Sequence, residues 1–247
     1  MELFYTSTEN IDLHSQSLVL DGDEFHHLAR VLRKKTGERI FVTDGSGLCC
    51  EVSILDVGKT SLTGKIFGHT SFERPKTGVT VALSLLKAPQ RFEFFLEKAT
   101  ELGVSTIIPM ITARTLSQVS SEKVQSKLSR WRTIVLSAAR QSKRYYLPQL
   151  WEPLSFRKVI ALPGYDLKLI PYEGSEMPPE VECCGKQSIF LIGGEGGFTA
   201  DEVQEAQIAG FRAISLGRTI LRAETAGIFA VAYVRSQLLK EDYVEWF

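Results

Sequence analysis

Residues 191–203, LIGGEGGFTADEV, decide how the rest of this 247-residue chain is read. The stretch opens on the end of an apolar run, residues 188–192, as short as a buried strand. Four glycines in five positions follow, Gly193, Gly194, Gly196 and Gly197, with Glu195 at their centre. It closes on Thr199 and Glu202, spaced as a capping box that starts a helix. Strand, loop and capped helix in that order is the unit of an open α/β sheet, where ligands sit beyond the carboxyl ends of the strands. A tight turn accounts for one or two of the glycines. Four leave backbone N–H groups unshielded and let a ligand approach closely, which favours a binding loop.

A second junction repeats the pattern. Residues 217–225, GRTILRAET, follow a strand expected at 213–216 and lead into an apolar helix expected from 224 to 239. Glu224 and Thr225 have a plain reading as a first-turn acid and a capping hydroxyl. Arg222 is harder to explain that way, because a cation at the positive end of a helix is disfavoured unless it faces an anion. The glycine loop is not a dinucleotide fingerprint: it lies late in the chain, its spacing is incomplete, and Glu195 would sit where pyrophosphate belongs. No G-K-[ST] follows, so a P-loop is excluded. An uncharged or cationic ligand such as S-adenosylmethionine suits the loop better than a phosphate.

Working outward, residues 79–86 form a continuous apolar run expected as a strand buried on both faces. Residues 91–102 place Phe92, Phe95, Leu96, Ala99 and Leu102 at helical spacing before Gly103. Strands are expected at 104–110 and 167–171, and a long helix from Ser121 with Val124, Leu128, Trp131, Ile134, Val135 and Ala138 on one face. The first seventy or so residues read differently. Strands at 39–44, 50–55 and 61–67 are separated by turn signals, with one helix expected over 23–34 capped by Asp21 or Asp23. The polar stretch 70–78 separates a small β-barrel domain, 1–72, from an α/β domain, 73–247.

Composition is that of a globular protein, 44% apolar and 23% charged. Apolar runs fall far short of the ~20 residues that a membrane helix needs, and no secretory signal opens the chain, so a cytoplasmic location is expected. Net charge is zero, yet Arg30, Arg33, Lys34, Lys35 and Arg39 cluster with only Glu38 opposing them, as do Lys127, Arg130, Arg132, Arg140, Lys143 and Arg144 with no acid among them. Such clusters are usually solvated faces and weigh modestly toward RNA. The cysteine pairs 49–50 and 183–184 lack zinc spacing, and no metal site is expected. His26 and His27 receive no catalytic role.

Five blocks carry a resemblance: HHLARVLRKKTGE at 26–38, EKATELGVSTIIP at 97–109, ARQSKRYYLP at 139–148, and the two loop blocks at 191–203 and 216–226. In this order they resemble the RsmE family of 16S ribosomal RNA methyltransferases over essentially the whole chain. The resemblance implies a PUA-like β-barrel followed by a SPOUT domain, an open and mostly parallel α/β sheet with a C-terminal trefoil knot. It also implies S-adenosylmethionine as cofactor, a small-subunit 16S rRNA uridine methylated at N3 as substrate, and a homodimer. On that basis Leu191, Gly193, Glu195, Gly196, Leu216, Ile220 and Leu221 are the cofactor candidates. Arg222, Glu224 and Thr225 are the catalytic candidates, with Arg222 set against RNA or a uracil anion and Glu224 a possible base. Arg30, Arg33, Lys34, Lys35 and Arg144 are the RNA candidates. The chain departs from the family pattern at Gly194, usually proline, at Arg218 and Thr219, and at Ala223, usually threonine. A SPOUT enzyme acting on another rRNA or tRNA base, a nucleotide-dependent oxidoreductase and a noncatalytic RNA-binding assembly factor stay open as alternatives.

Overall fold

The computed structural model describes residues 2–115, 121–178 and 180–239. The chain divides into two compact units, and the division is not a single cut. The first unit takes Met1–Arg74 and also Ala139–Leu147, whereas the second takes Pro75–Ala138 and resumes at Pro148.

In the first unit, β1 (Leu3–Tyr5), β2 (Ile11–Asp12) and β3 (Ser17–Asp21) precede a one-turn helix α1 (Gly22–His26). Strands β4 (Arg39–Thr43), β5 (Leu48–Val57) and β6 (Ser61–Ser71) complete a six-stranded sheet in the order β1-β4-β5-β6-β3-β2. Only β1 and β4 run parallel in it. Alternation along the strands buries Leu18, Leu20, Ile40, Val42, Val52, Ile54, Leu62 and Ile66 around Phe4, Phe25 and Leu28. The helix expected over 23–34 is shorter. After His26 the chain widens, with the Leu32 N–H donating to the His27 carbonyl and the Lys34 N–H to that of Leu28, and Arg33 turns to a positive φ of 53°. Asp21 is the N-cap residue, but its side chain makes no capping bond.

Ala139–Leu147 fills one side of this unit. Tyr146 bridges to Ser46 and its hydroxyl donates to the Phe72 carbonyl at 2.8 Å. The Tyr145 ring stacks on Phe72 at 4.1 Å, and the Leu147 N–H donates to the Gly45 carbonyl at 2.9 Å. Arg140 reaches the buried Glu24 at 2.9 Å, whose other oxygen accepts the Tyr5 N–H at 3.2 Å. Burial dominates at Glu24 and lifts its carboxyl above the ordinary value despite Arg140.

The second unit follows the expected alternation: β7 (Gly78–Ser84), α2 (Pro89–Leu102), β8 (Thr106–Ile111) and α3 (Ser121–Gln141), whose last residues belong to the first unit. Two short strands, β9 (Gln149–Leu150) and β10 (Leu154–Ser155), lead into α4 (Phe156–Ile160). Then come β11 (Leu167–Pro171), β12 (Gln187–Ile192), α5 (Ala200–Ile208), β13 (Arg212–Ile214) and α6 (Ala223–Leu238). The seven strands form one sheet in the order β10-β8-β7-β12-β11-β13, with β9 also on β8. Every pairing in it is parallel.

All seven residues of β7 are buried, as its continuous apolar sequence requires of a strand covered on both faces. Val79, Val81 and Leu83 join one core with Phe92, Phe95, Leu96, Trp131 and the apolar face of α6. Ala82 faces the other, with Ile108, Met110, Phe156, Val203 and Phe211. Helices α2 and α6 pack closely at Gly227, where an added Cβ would lie 2.7 Å from the Phe95 ring. The capping box at Thr199 and Glu202 is formed in full, and α2 stops at Gly103.

Candidate functional site

Both loops singled out in the sequence follow the carboxyl ends of parallel strands, where the last turns of strand leave backbone groups with no ladder partner. The first loop, residues 193–199, is a tight turn. The Gly197 N–H donates to the Gly194 carbonyl at 3.0 Å, and Gly197 takes a φ of 64°. An added Cβ on Gly193 would lie 3.0 Å from the Gly197 backbone. Part of the glycine content is therefore demanded by the turn itself. Gly194 and Gly197 form an antiparallel bridge, and among the described residues no hydrogen bond occupies the amides of Glu195 and Gly196, both exposed residues.

Neighbouring elements hold this loop. The Arg114 guanidinium, from the turn after β8, donates to the Gly196 carbonyl. Glu202 serves the helix cap and also accepts the Ala113 N–H at 2.8 Å. Beneath Gly194, the hydroxyls of Ser84, Thr112 and Thr115 form a closed triangle with edges of 3.0–3.1 Å.

The Glu195 carboxylate is also tied to its neighbours: it accepts from the Arg91 Nη1 at 3.1 Å and from the Lys87 N–H at 3.2 Å. The same guanidinium grips Glu224 with two parallel bonds, Nε to Oε1 at 2.9 Å and Nη2 to Oε2 at 2.6 Å. The Glu224 side chain is 8% exposed. Burial alone would raise its carboxyl, but the Arg91 hydrogen bonds, its own backbone N–H and the Arg91 and Arg222 charges prevail and hold it below the ordinary range.

Arg91 was missed in the sequence, although a signal existed. It stands in the first turn of α2, a turn with no acidic residue, where the helix end repels a cation. Arg91, like Arg222, is a cation at the positive end of a helix and calls for an anion to face it.

In the second loop, Leu216 and Leu221 are partly buried at the edge of the core, whereas Ile220 is 88% exposed. Leu191 is fully buried within its strand. Arg222 is the N-cap residue of α6 and exposed, and among the described residues no hydrogen bond or ion pair holds its guanidinium. Thr225 is exposed and does not cap the helix; no side chain does.

The basic candidates separate once the fold is formed. Arg30, Arg33 and Lys35 are exposed, but Lys34 is bonded to Glu2 at 2.8 Å and Glu38 at 3.2 Å, and its ammonium is already neutralised. The second cluster contains no acid in sequence but finds two in space: Arg130 pairs with Glu93 at 2.6 Å and Arg140 with Glu24. Lys127, Arg130 and Arg132 also belong to a different unit from Arg140, Lys143 and Arg144. The cysteines form no disulfide; burial pushes the thiols of Cys49, Cys50 and Cys183 up to about 11, leaving them protonated and unreactive at neutral pH. Among the described residues there is no cluster able to hold a metal and no helix long and apolar enough to cross a membrane.

Comparison with known proteins gives this geometry a class. A family profile described as an RNA methyltransferase domain matches residues 73–235, and one described as an RNA methyltransferase PUA domain matches residues 20–67. The chain is thus an RNA methyltransferase whose SPOUT-type sheet domain follows a PUA-type domain, the fold class that the sequence resemblance implied. The ribosomal RNA small subunit methyltransferase E of Synechocystis is 33% identical over 231 residues, spanning 90% of this chain and 74% of that protein. Its counterpart in Mesomycoplasma hyopneumoniae is 37% identical over 172 residues, 69% of this chain and 74% of that one. The crystal structure of the Neisseria gonorrhoeae enzyme of the same name, bound to S-adenosyl methionine, matches with a TM-score of 0.84 at 29% identity, covering 96% and 97% of the two chains. The chain belongs to the ribosomal RNA small subunit methyltransferase E family.

Proposed function

We propose that this protein transfers the methyl group of S-adenosylmethionine to N3 of a specific uridine in 16S rRNA of the small ribosomal subunit. The observation that carries the reading is the pair of loops at the carboxyl ends of β12 and β13, in a chain that matches the methyltransferase family across both of its domains. The residues fit the cofactor. The amides of Glu195 and Gly196 are donors for its polar groups, and Leu216 and Leu221 form an apolar wall. Leu191 and Gly193 fix where the loop leaves the sheet. When bound, the cofactor supplies an electrophilic methyl group on a sulfonium.

The chain's own residues must orient the uracil for in-line attack by N3 and accommodate the negative charge that grows on its carbonyl oxygens as the N3 proton leaves. Holding both partners at attack distance supplies much of the acceleration. Arg222 is the group for the charge, exposed at the start of α6 with its guanidinium uncommitted among the described residues. Glu224 is not the base in this reading: a carboxylate gripped by two bonds and held below its ordinary range is a poor proton acceptor. It holds the loop. Thr225, exposed one residue on, is a candidate contact to RNA.

The PUA-type domain places the RNA through phosphate contacts from Arg30, Arg33 and Lys35, which orient without specifying sequence. Action as a cytoplasmic homodimer, with the C-terminal loops knotted, completes the proposal. The test is incubation with labelled S-adenosylmethionine and small subunits from a strain lacking the activity, followed by mapping of the methylated nucleotide. Label at N3 of a single 16S rRNA uridine is expected. Label on another base or on tRNA would move the substrate elsewhere within the superfamily.

A further inference from the structure

We infer that Arg91 is a positioning residue that sets the distance between the two loops and, through it, the affinity for the cofactor. The inference rests on the reading of those loops as the cofactor site. One guanidinium joins three elements that are remote in sequence: α2, which carries it, the glycine loop through Glu195, and the first turn of α6 through Glu224. Strands β12 and β13, which lead into the two loops, are not neighbours in the sheet, since β11 lies between them. Pairing of both strands with β11 spaces their ends, but no strand pairing reaches from one loop to the other. Arg91 makes that link. Its planar fork spends two nitrogens on Glu224 and turns the third toward Glu195 at 3.1 Å.

Charge accounts for why the arrangement is stable. The start of α2 repels a cation, and the buried Glu224 carboxylate is stabilised by one. Each liability answers the other. Glu195 is more exposed, with a third of its side chain open, so the arm to the glycine loop is the weaker and more adjustable part. Release of that arm frees the loop whose amides meet the cofactor, while the fork to Glu224 keeps the helices in place.

The experiment is a double-mutant cycle of Arg91→Met and Glu195→Gln, read by isothermal titration with S-adenosylhomocysteine, with a thermal melt of every variant. Glu195→Gln alone should weaken binding roughly 10-fold while leaving the melt unchanged, because a loop displaced by about 1 Å loses contacts of that size. In the Arg91→Met background the same change should alter affinity less than about twofold, since the arm is already gone. Should Arg91→Met fail to fold, Arg91→Lys closes the cycle instead; a point charge keeps Glu224 neutralised but cannot serve both carboxylates. Additive losses would mean that Glu195 acts on the ligand directly, and would overturn the inference while leaving the cofactor site intact. No binding by the wild-type protein would remove the cofactor reading, and the inference with it.

Discussion

Gly227→Ala tests whether helix packing or helix propensity governs α6. In isolation the change should stabilise, because alanine in a helix interior is worth up to about 1 kcal/mol over glycine. The structure opposes it. The new Cβ would lie 2.7 Å from Phe95 Cε2 and 2.9 Å from Cδ2, about 1 Å inside ordinary carbon contact. Phe95 cannot turn away. It is fully buried, with Phe92 at 6.0 Å, and Phe92 rests on Trp131 at 4.7 Å. Overpacking of this kind costs about 1–3 kcal/mol, so the net expectation is a loss of roughly 1–2 kcal/mol and a melting temperature lower by about 2–8 °C. A functional consequence follows. Gly227 stands three residues after Glu224 and Phe95 four after Arg91, so helices pushed apart at one pair are pushed apart at the other. Cofactor affinity should fall together with the melting temperature. Differential scanning calorimetry with and without S-adenosylhomocysteine reads both, and adding Phe95→Leu to make room should restore part of each. A variant that melts at or above the wild-type temperature would refute the packing argument.

Arg222→Ala should leave S-adenosylhomocysteine binding near wild type and cut turnover on small subunits by about 100-fold or more, the scale of a lost charge-stabilising group; normal turnover would remove Arg222 from the chemistry. Arg33→Glu with Lys35→Glu should weaken RNA binding and flatten its salt dependence, whereas Lys34→Gln should hardly change it, since that ammonium is engaged by Glu2 and Glu38. Equal effects from all three positions in a salt titration would contradict the distinction. Arg140→Met should destabilise the first unit at neutral pH by about 1–3 kcal/mol, because it strands a buried carboxylate. The Glu24 carboxyl is already raised and would rise further, so the folded state holds its proton more tightly than the unfolded state. Acidification through that range should therefore shrink the defect in urea unfolding, and a defect constant with pH would show that Glu24 is not its source.

The sheet domain was legible from the sequence because its signals are local. A continuous apolar run marks β7, a capping box marks α5, and helical spacing of Phe92, Phe95, Leu96 and Ala99 marks the buried face of α2. Both site loops were legible for the same reason, as glycine-rich or charge-anomalous breaks between a strand and a helix. What the sequence hid was spatial pairing. The charge on Glu195 looked available until Arg91, more than a hundred residues earlier, was seen to consume it. The basic cluster at 127–144 looked unopposed until Glu93 and Glu24 were found beside it. The helix expected over 23–34 forms from Gly22 to Val31, but its second half widens to π geometry and the chain turns at Arg33, which apolar spacing does not signal.

The return of Ala139–Leu147 to the first unit bears on how the protein is made. A ribosome that has released the first 74 residues has released an incomplete fold, in which Phe72 lacks the Tyr145 ring and the Tyr146 hydroxyl, and Glu24 lacks its arginine. That unit can close only after residue 147 emerges, when all of β7, α2, β8 and α3 has already been synthesised. The domain first in sequence thus cannot finish folding until the opening part of the second has been made, and a gene cut at residue 74 would yield a fragment still waiting for its last piece.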